Sequence, residues 1–156
     1  MADLIPPLPQ DFVHQIEQDF PQEAATLLSA LDHTEPVVSL RHNSRKCARY
    51  NAAPSLAYPT TPIPWCQEGY RLEGRPFFAH DPLWHAGMYY VQEAASMALA
   101  QLAPLLPKRP IEVLDLCAAP GGKSTLLLNI LPENSTLVAN EPIPKRAQIL
   151  RENLMK

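Results

Sequence analysis

Residues 115 to 124 read Asp115-Leu116-Cys117-Ala118-Ala119-Pro120-Gly121-Gly122-Lys123-Ser124, small residues set between an apolar run and a helical pattern. Ala118, Ala119, Gly121 and Gly122 leave room for a ligand to lie against the backbone. Amide N–H groups at the start of the following helix favour a negatively charged group there. Two ligand classes fit such a turn. Gly122-Lys123-Ser124 matches the end of a P-loop, which cradles a nucleoside triphosphate. The opening glycine of that loop would fall at Cys117, however, and Pro120 removes one N–H from the cradle. The other class is an adenosine cofactor, whose ribose hydroxyls need an acidic partner at the end of the next strand, about twenty residues past the glycines. Glu141 stands there, directly after Thr136-Leu137-Val138-Ala139-Asn140. A triphosphate site does not require that carboxylate, so the pair of features favours the adenosine cofactor.

The elements that must position this turn are legible on either side. Ile111 to Leu116 is a strand of the buried type, and Gly121 or Gly122 opens a helix carrying Leu126, Leu127 and Ile130 that Pro132 stops. Thr136 to Asn140 is a second strand, and a last helix from about Pro144 carries Ala147, Leu150 and Leu154. Strand, glycine turn, helix, strand, helix is the beginning of a parallel α/β sheet, whose ligands bind at the carboxyl ends of the strands. Upstream, Val91 to Ala103 has the composition of a helix closed by Pro104 and Pro107. Pro9 to Asp32 predicts two short helices, the first capped by Asp11 and the second with Pro21 in its first turn. Pro36 to Arg41 and Gly69 to Leu72 predict strands, and the proline-rich stretch 54–64 a loop ending at Trp65. The expected organisation is a small α+β module over 1–85, followed over 86–156 by the first part of a Rossmann-like domain. Two parallel strands and two helices cannot cover a sheet, so a fragment of a larger fold is expected.

Composition bounds the function. The chain has 156 residues, 46% hydrophobic, enough for a real core. Its 13 basic and 16 acidic residues give a net charge of −3, which does not advertise a nucleic-acid binder. The densest basic stretch runs from Arg41 to Arg49. Cys47, Cys66 and Cys117 are odd in number and widely spaced, which argues against a disulfide framework and a zinc site. His80 and His85 lack the cysteine or carboxylate partners a metal pair would need, so no metal is expected. Met1 to Gln10 has no signal-peptide pattern and no apolar run is long enough to span a membrane, so a reduced cytoplasmic setting is expected. Trp65, Tyr70, Phe77, Phe78, Tyr89 and Tyr90 could stack on bases but are read as core, and Met88 and Met97 as packing.

The run Asp115–Ser124 resembles the first cofactor motif of the Sun/Fmu-type RNA (cytosine-5) methyltransferases. Gly87 to Ser96, with Tyr90, Gln92 and Glu93, resembles that family's Tyr-x-Gln-Glu segment. Leu40, Arg41 and Asn43, and Trp65, Cys66, Glu68, Gly69 and Tyr70, resemble its N-terminal region. The four segments lie in the family's order over roughly 37–156. The resemblance implies a ribosomal-RNA methyltransferase that uses S-adenosyl-L-methionine. Cys117, Ala118, Ala119, Pro120, Gly121, Gly122 and Lys123 would wrap its methionine and ribose part, Glu141 would hold the ribose hydroxyls, and Gln92 and Glu93 would flank the pocket. It further implies RNA binding by the N-terminal module, with Arg41, Arg45, Lys46 and Arg49 as candidate phosphate contacts. Methylating cytosine C5 needs a thiolate that adds to C6. Both family cysteines lie on later motifs, so none of the three cysteines here is the expected nucleophile, and catalysis is expected from residues past Lys156. A non-catalytic RNA-binding module and a P-loop nucleotide-binding protein stand as alternatives.

Overall fold

Residues 7–33, 37–51 and 59–156 are described in the computed structural model. The chain divides into two units, Met1–Pro36 and Val37–Lys156. The first holds helices α1 (Gln10–Asp19) and α2 (Ala24–His33), as the apolar spacing predicts. Their starts differ from expectation. Pro9 occupies the N-cap position of α1 without a side-chain cap, so Asp11 is a first-turn acid rather than the cap. Pro21 lies in the turn before α2, because the amides of Glu23 and Ala24 bond back to the Phe20 carbonyl.

The second unit contains two sheets. Strands β1 (Val38–His42), β2 (Thr60–Ile63), β3 (Cys66–Leu72) and β4 (Tyr89–Val91) form an antiparallel sheet in the order β2-β3-β1-β4. β2 falls within the stretch read as a proline-rich loop. Pro62 is tolerated there because β2 is an edge strand. β4 occupies the start of the stretch read as a helix, since Leu40 pairs with Val91 and Arg41 with Tyr90. The helical stretch begins only at Ala95 and runs as a 3₁₀ helix through Pro104 to Leu105. Its start is fixed by Glu93, whose carboxylate accepts from the amides of Ala95 at 2.7 Å and Ser96 at 2.8 Å. Those bonds hold the Glu93 carboxyl below its usual range. Short helices α3 (Ser44–Tyr50) and α4 (Pro82–His85) connect the strands, capped by the side chains of Asn43 and Asp81.

The second sheet is the parallel pair β5 (Glu112–Asp115) and β6 (Thr136–Ala139), in register from Glu112–Thr136 to Asp115–Ala139. Helices α5 (Gly122–Ile130) and α6 (Pro144–Met155) follow the two strands. The α+β module and the start of an α/β sheet are therefore both present. Met97, with no exposed surface, packs with Ile63 and Cys66 of the antiparallel sheet and with Leu126 of α5. Gly69 makes this possible, because a Cβ there would stand 2.8 Å from the Met97 sulfur. A second cluster joins Leu40, Leu72 and Tyr89. No helix among the described residues is long and apolar enough to cross a membrane.

Candidate functional site

The glycine turn leaves the end of β5 and is closed by Asp115. One carboxylate oxygen accepts from the Cys117 amide at 3.3 Å, and the other from the wholly buried Ser124 hydroxyl at 2.7 Å. The strand end and the first turn of α5 are thereby tied across the loop. In a P-loop the corresponding hydroxyl holds Mg²⁺; here it is committed to Asp115.

The loop's carbonyls are held from α6. Arg146 donates to the Ala119 carbonyl at 3.0 Å and Asn153 to the Pro120 carbonyl at 2.8 Å, with Tyr90 donating to the latter at 3.4 Å. The Ala119–Pro120 peptide is cis. Ala118 and Ala119 are buried against Leu150. Gly121 has φ +111°, a conformation that only glycine adopts without strain, and a Cβ there would lie 3.3 Å from Leu150 Cδ1.

Opposite the loop stands the end of β4. Tyr90, Val91, Gln92, Glu93 and Ser96 form one wall of a cleft of about 300 Å³, and Cys117, Ala118, Ala119, Pro120, Gly122 and Lys123 form the other. Six of the eight residues predicted to bind a cofactor thus share one cleft. Gly121 is turned under α6 instead. Glu141 is not among the six: it borders a separate hollow with Ala139, Asn140, Ala147 and Leu150. Its side chain is only 3% exposed, with Arg146 Nη1 at 3.5 Å and a hydrogen bond donated by the Ile143 backbone N–H at 3.1 Å.

Gln92 is held by its backbone and by its side-chain oxygen. Its amide donates to the Ser39 carbonyl at 3.1 Å, and the Ser39 hydroxyl donates to its carbonyl at 2.5 Å. Its Oε1 accepts from Arg41 Nε at 3.0 Å, and Arg41 Nη2 continues to Thr125 Oγ1 on α5 at 2.9 Å. Gln92 Nε2 is buried without a partner. Arg41 is 3% exposed, so this candidate phosphate contact is an internal brace rather than a surface cation. Burial brings its pKa down to about 10, against the opposing fields of Cys66, Glu68 and Tyr90. Strand alternation carried the signal for this: Ser39 and Arg41 share one face of β1, opposite Leu40. Arg45 donates to the Leu131 carbonyl at 2.9 Å and Lys46 to the Ala86 carbonyl at 2.6 Å. Arg49 is exposed, its guanidinium 5.8 Å from the Tyr50 ring centre.

Among the aromatic residues read as core, Tyr89 is buried, and Trp65, Tyr70 and Phe78 pack against the clusters. Phe77 is 74% exposed, and Tyr90 is a cleft wall. Met88 and Met97 are buried packing residues. The Cys47 and Cys66 thiols are pushed up by burial, whereas Cys117 is exposed at the cleft.

Two families of known proteins match the chain. Residues 8–94 match the family described as the N-terminal domain of 16S rRNA methyltransferase RsmF, and residues 102–156 the family described as 16S rRNA methyltransferase RsmB/F. A ribosomal RNA small subunit methyltransferase F from Shewanella sediminis is 28% identical over 157 residues, covering 96% of this chain and 33% of the relative. Its counterpart from Pectobacterium atrosepticum is 36% identical over 126 residues, covering 76% of this chain and 26% of the relative. The chain spans about a third of the length of the curated relatives it matches. Among solved structures, a methyltransferase homolog protein from Pyrococcus horikoshii superposes with TM-score 0.72 at 26% identity, covering 95% of this chain and 49% of the other. NSun6 from the same organism shares the fold, with TM-score 0.69 at 13% identity over 94% of this chain and 62% of the other. With more than half of its length matched by the first of these families, the chain belongs to the 16S rRNA methyltransferase RsmF family.

Proposed function

We propose that this chain supplies the S-adenosyl-L-methionine cleft, and part of the RNA platform, of a ribosomal-RNA (cytosine-5) methyltransferase. The observation that carries the reading is the Asp115–Ser124 bond closing the glycine loop. It removes the hydroxyl that a nucleoside triphosphate site would need and leaves a cleft between the loop and β4. The residues fit an adenosine cofactor: Gly122 leaves open the space beside the Tyr90 ring, where a Cβ would stand 3.4 Å from Cε1. Cys117, Ala118, Ala119, Pro120, Gly122 and Lys123 line the ligand, Gly121 shapes the loop, and Glu141 accepts the ribose hydroxyls. Arg146 and the Ile143 amide fix the orientation of the Glu141 carboxylate. When bound, S-adenosyl-L-methionine supplies an electrophilic methyl group.

Two family matches, which change over between residues 94 and 102, support a division of labour along the chain. Residues 1–85 serve as RNA platform, and 86–156 begin the methyltransferase domain. Ribosomal RNA is the proposed substrate, as the relatives' names support. A cytoplasmic location suits three free cysteines and an RNA substrate. Of the four basic candidates, Arg41 is buried and Arg45 and Lys46 donate to main-chain carbonyls, which leaves the exposed Arg49 for phosphate. The nucleophilic thiolate is assigned to none of the three cysteines. Two thiols are disfavoured as thiolates by burial, and Cys117 belongs to the cofactor loop.

Calorimetric titration tests the reading. Heat with S-adenosyl-L-methionine that is lost in Glu141→Ala is the expected result. Heat with ATP and Mg²⁺ alone would overturn it.

A further inference from the structure

We infer that Gln92, held by the buried cation of Arg41, donates its Nε2–H to a carboxylate of the ligand in the glycine-loop cleft, and so selects cofactors that carry an amino-acid end. The inference rests on the cofactor reading above and adds a determinant on the wall facing the loop.

Three observations carry it. First, Gln92 is 6% exposed, lines the cleft, and has a buried Nε2 without a hydrogen-bond partner. A buried donor left unpaired costs free energy, so its retention calls for a partner. Second, the amide cannot turn to relieve this. Arg41 Nε takes Oε1, and Ser39 holds the backbone of Gln92 on both sides. The only donor left over is Nε2, 3.6 Å from the place a Cβ would occupy on Gly122. The missing side chain at the start of α5 therefore leaves space beside this donor. Third, Arg41 is buried with neutral side chains as its hydrogen-bond partners, Gln92 and Thr125. Among the described residues no carboxylate forms an ion pair with it. A buried cation on which Glu68 acts only through its field, without an ion pair, favours a further anion nearby, and it polarises the Gln92 amide toward stronger donation. With Lys123 and the first amides of α5 on the facing wall, the acceptor best matched to this end of the cleft is a carboxylate.

The test compares two ligands by calorimetry on the whole chain. S-adenosyl-L-methionine carries the carboxylate, and 5′-methylthioadenosine lacks the amino-acid end. Gln92→Leu is expected to weaken the first by about ten- to a hundredfold, the range of a hydrogen bond to a charged group, while changing the second by no more than about twofold. Should Gln92→Leu fail to fold because Arg41 loses its acceptor, Gln92→Glu carries the test. It keeps an oxygen for Arg41 and sets a negative charge against the ligand carboxylate, so the same selectivity is expected. Equal loss for both ligands, or no loss for either, would overturn the role of Gln92 and leave the cofactor reading standing. An unsubstituted chain that binds neither ligand would overturn the cofactor reading and this inference with it.

Discussion

The Ser124 hydroxyl, wholly buried in the first turn of α5, donates to the carboxylate of Asp115 at the end of β5 over 2.7 Å. Nine residues apart in sequence, the two close the glycine loop from beneath. Ser124→Ala leaves an Asp115 oxygen without its donor, and a loss of about 1–3 kcal/mol is expected. Urea denaturation measures it. An unchanged midpoint would mean that the bond does not hold the loop.

The two glycines of the loop are expected to respond in opposite ways. Gly121→Ala forces a side chain into φ +111° and against Leu150. A destabilisation of more than about 1 kcal/mol follows. Gly122 opens α5 with ordinary helical geometry, and its added Cβ meets Tyr90 Cε1 at 3.4 Å, a normal contact. Gly122→Ala is expected to leave the melting temperature unchanged or slightly raised, since alanine is the better helix former. It fills the space beside Gln92, however, so cofactor binding weakens. Equal melting temperatures for the two variants would contradict this account.

Arg146 reaches both the Ala119 carbonyl and the Glu141 carboxylate. Arg146→Ala removes both contacts, and about 1 kcal/mol of stability is expected to go with them, because the guanidinium is half exposed and partly screened. S-adenosyl-L-methionine affinity is expected to fall several-fold as Glu141 loses its fixed orientation. Arg146→Lys keeps the charge but cannot span both oxygens, so its affinity belongs between the two. A lysine variant as weak as the alanine variant would argue against charge at this position.

His42 supplies a pH dependence. Burial lowers its pKa from the ordinary 6.5, with Glu68 opposing, and its Nε2 has no hydrogen-bond partner. Below 6.5 the unfolded chain binds the proton more readily than the folded one, so the His42 contribution is complete above 6.5 and is lost as pH falls from there through the lower pKa of the folded state. Denaturation midpoints measured from pH 8 down to 5.5 are expected to fall, and His42→Phe is expected to flatten that slope. A slope identical in the variant would place the titration elsewhere.

The strand-turn-helix from Glu112 to Ile130 was legible because its signals are local: an apolar run, a pair of glycines, a stopping proline. The same holds for β6 and α6. Elements defined by pairing rather than by periodicity were not legible. Nothing in Thr60–Ile63 reads as a strand until β3 lies beside it, and Pro62 argued against one. Val91 looks helical in a row of good helix formers, yet its pairing with Leu40 makes it strand. The site divides in the same way. The loop residues announced themselves by type and spacing. Arg146 and Asn153, which hold the loop's carbonyls from α6, carry no sequence mark, and Tyr90, marked by its motif, gives no sign in the sequence that it reaches the Pro120 carbonyl. Arg41 was misplaced for a related reason: a basic run reads as surface, and only its shared face with Ser39 on a two-sided strand turns it inward.

Met97 packs at once against the antiparallel sheet and against α5. Removing either side would return part of that methionine to water, so neither layer holds its full stability alone. The antiparallel strands and the cofactor helix are therefore expected to open as one foldon. Amides in β3 and α5 would then exchange their hydrogens with a common free energy of opening, and cofactor bound at the loop would slow exchange across the sheet behind it as well.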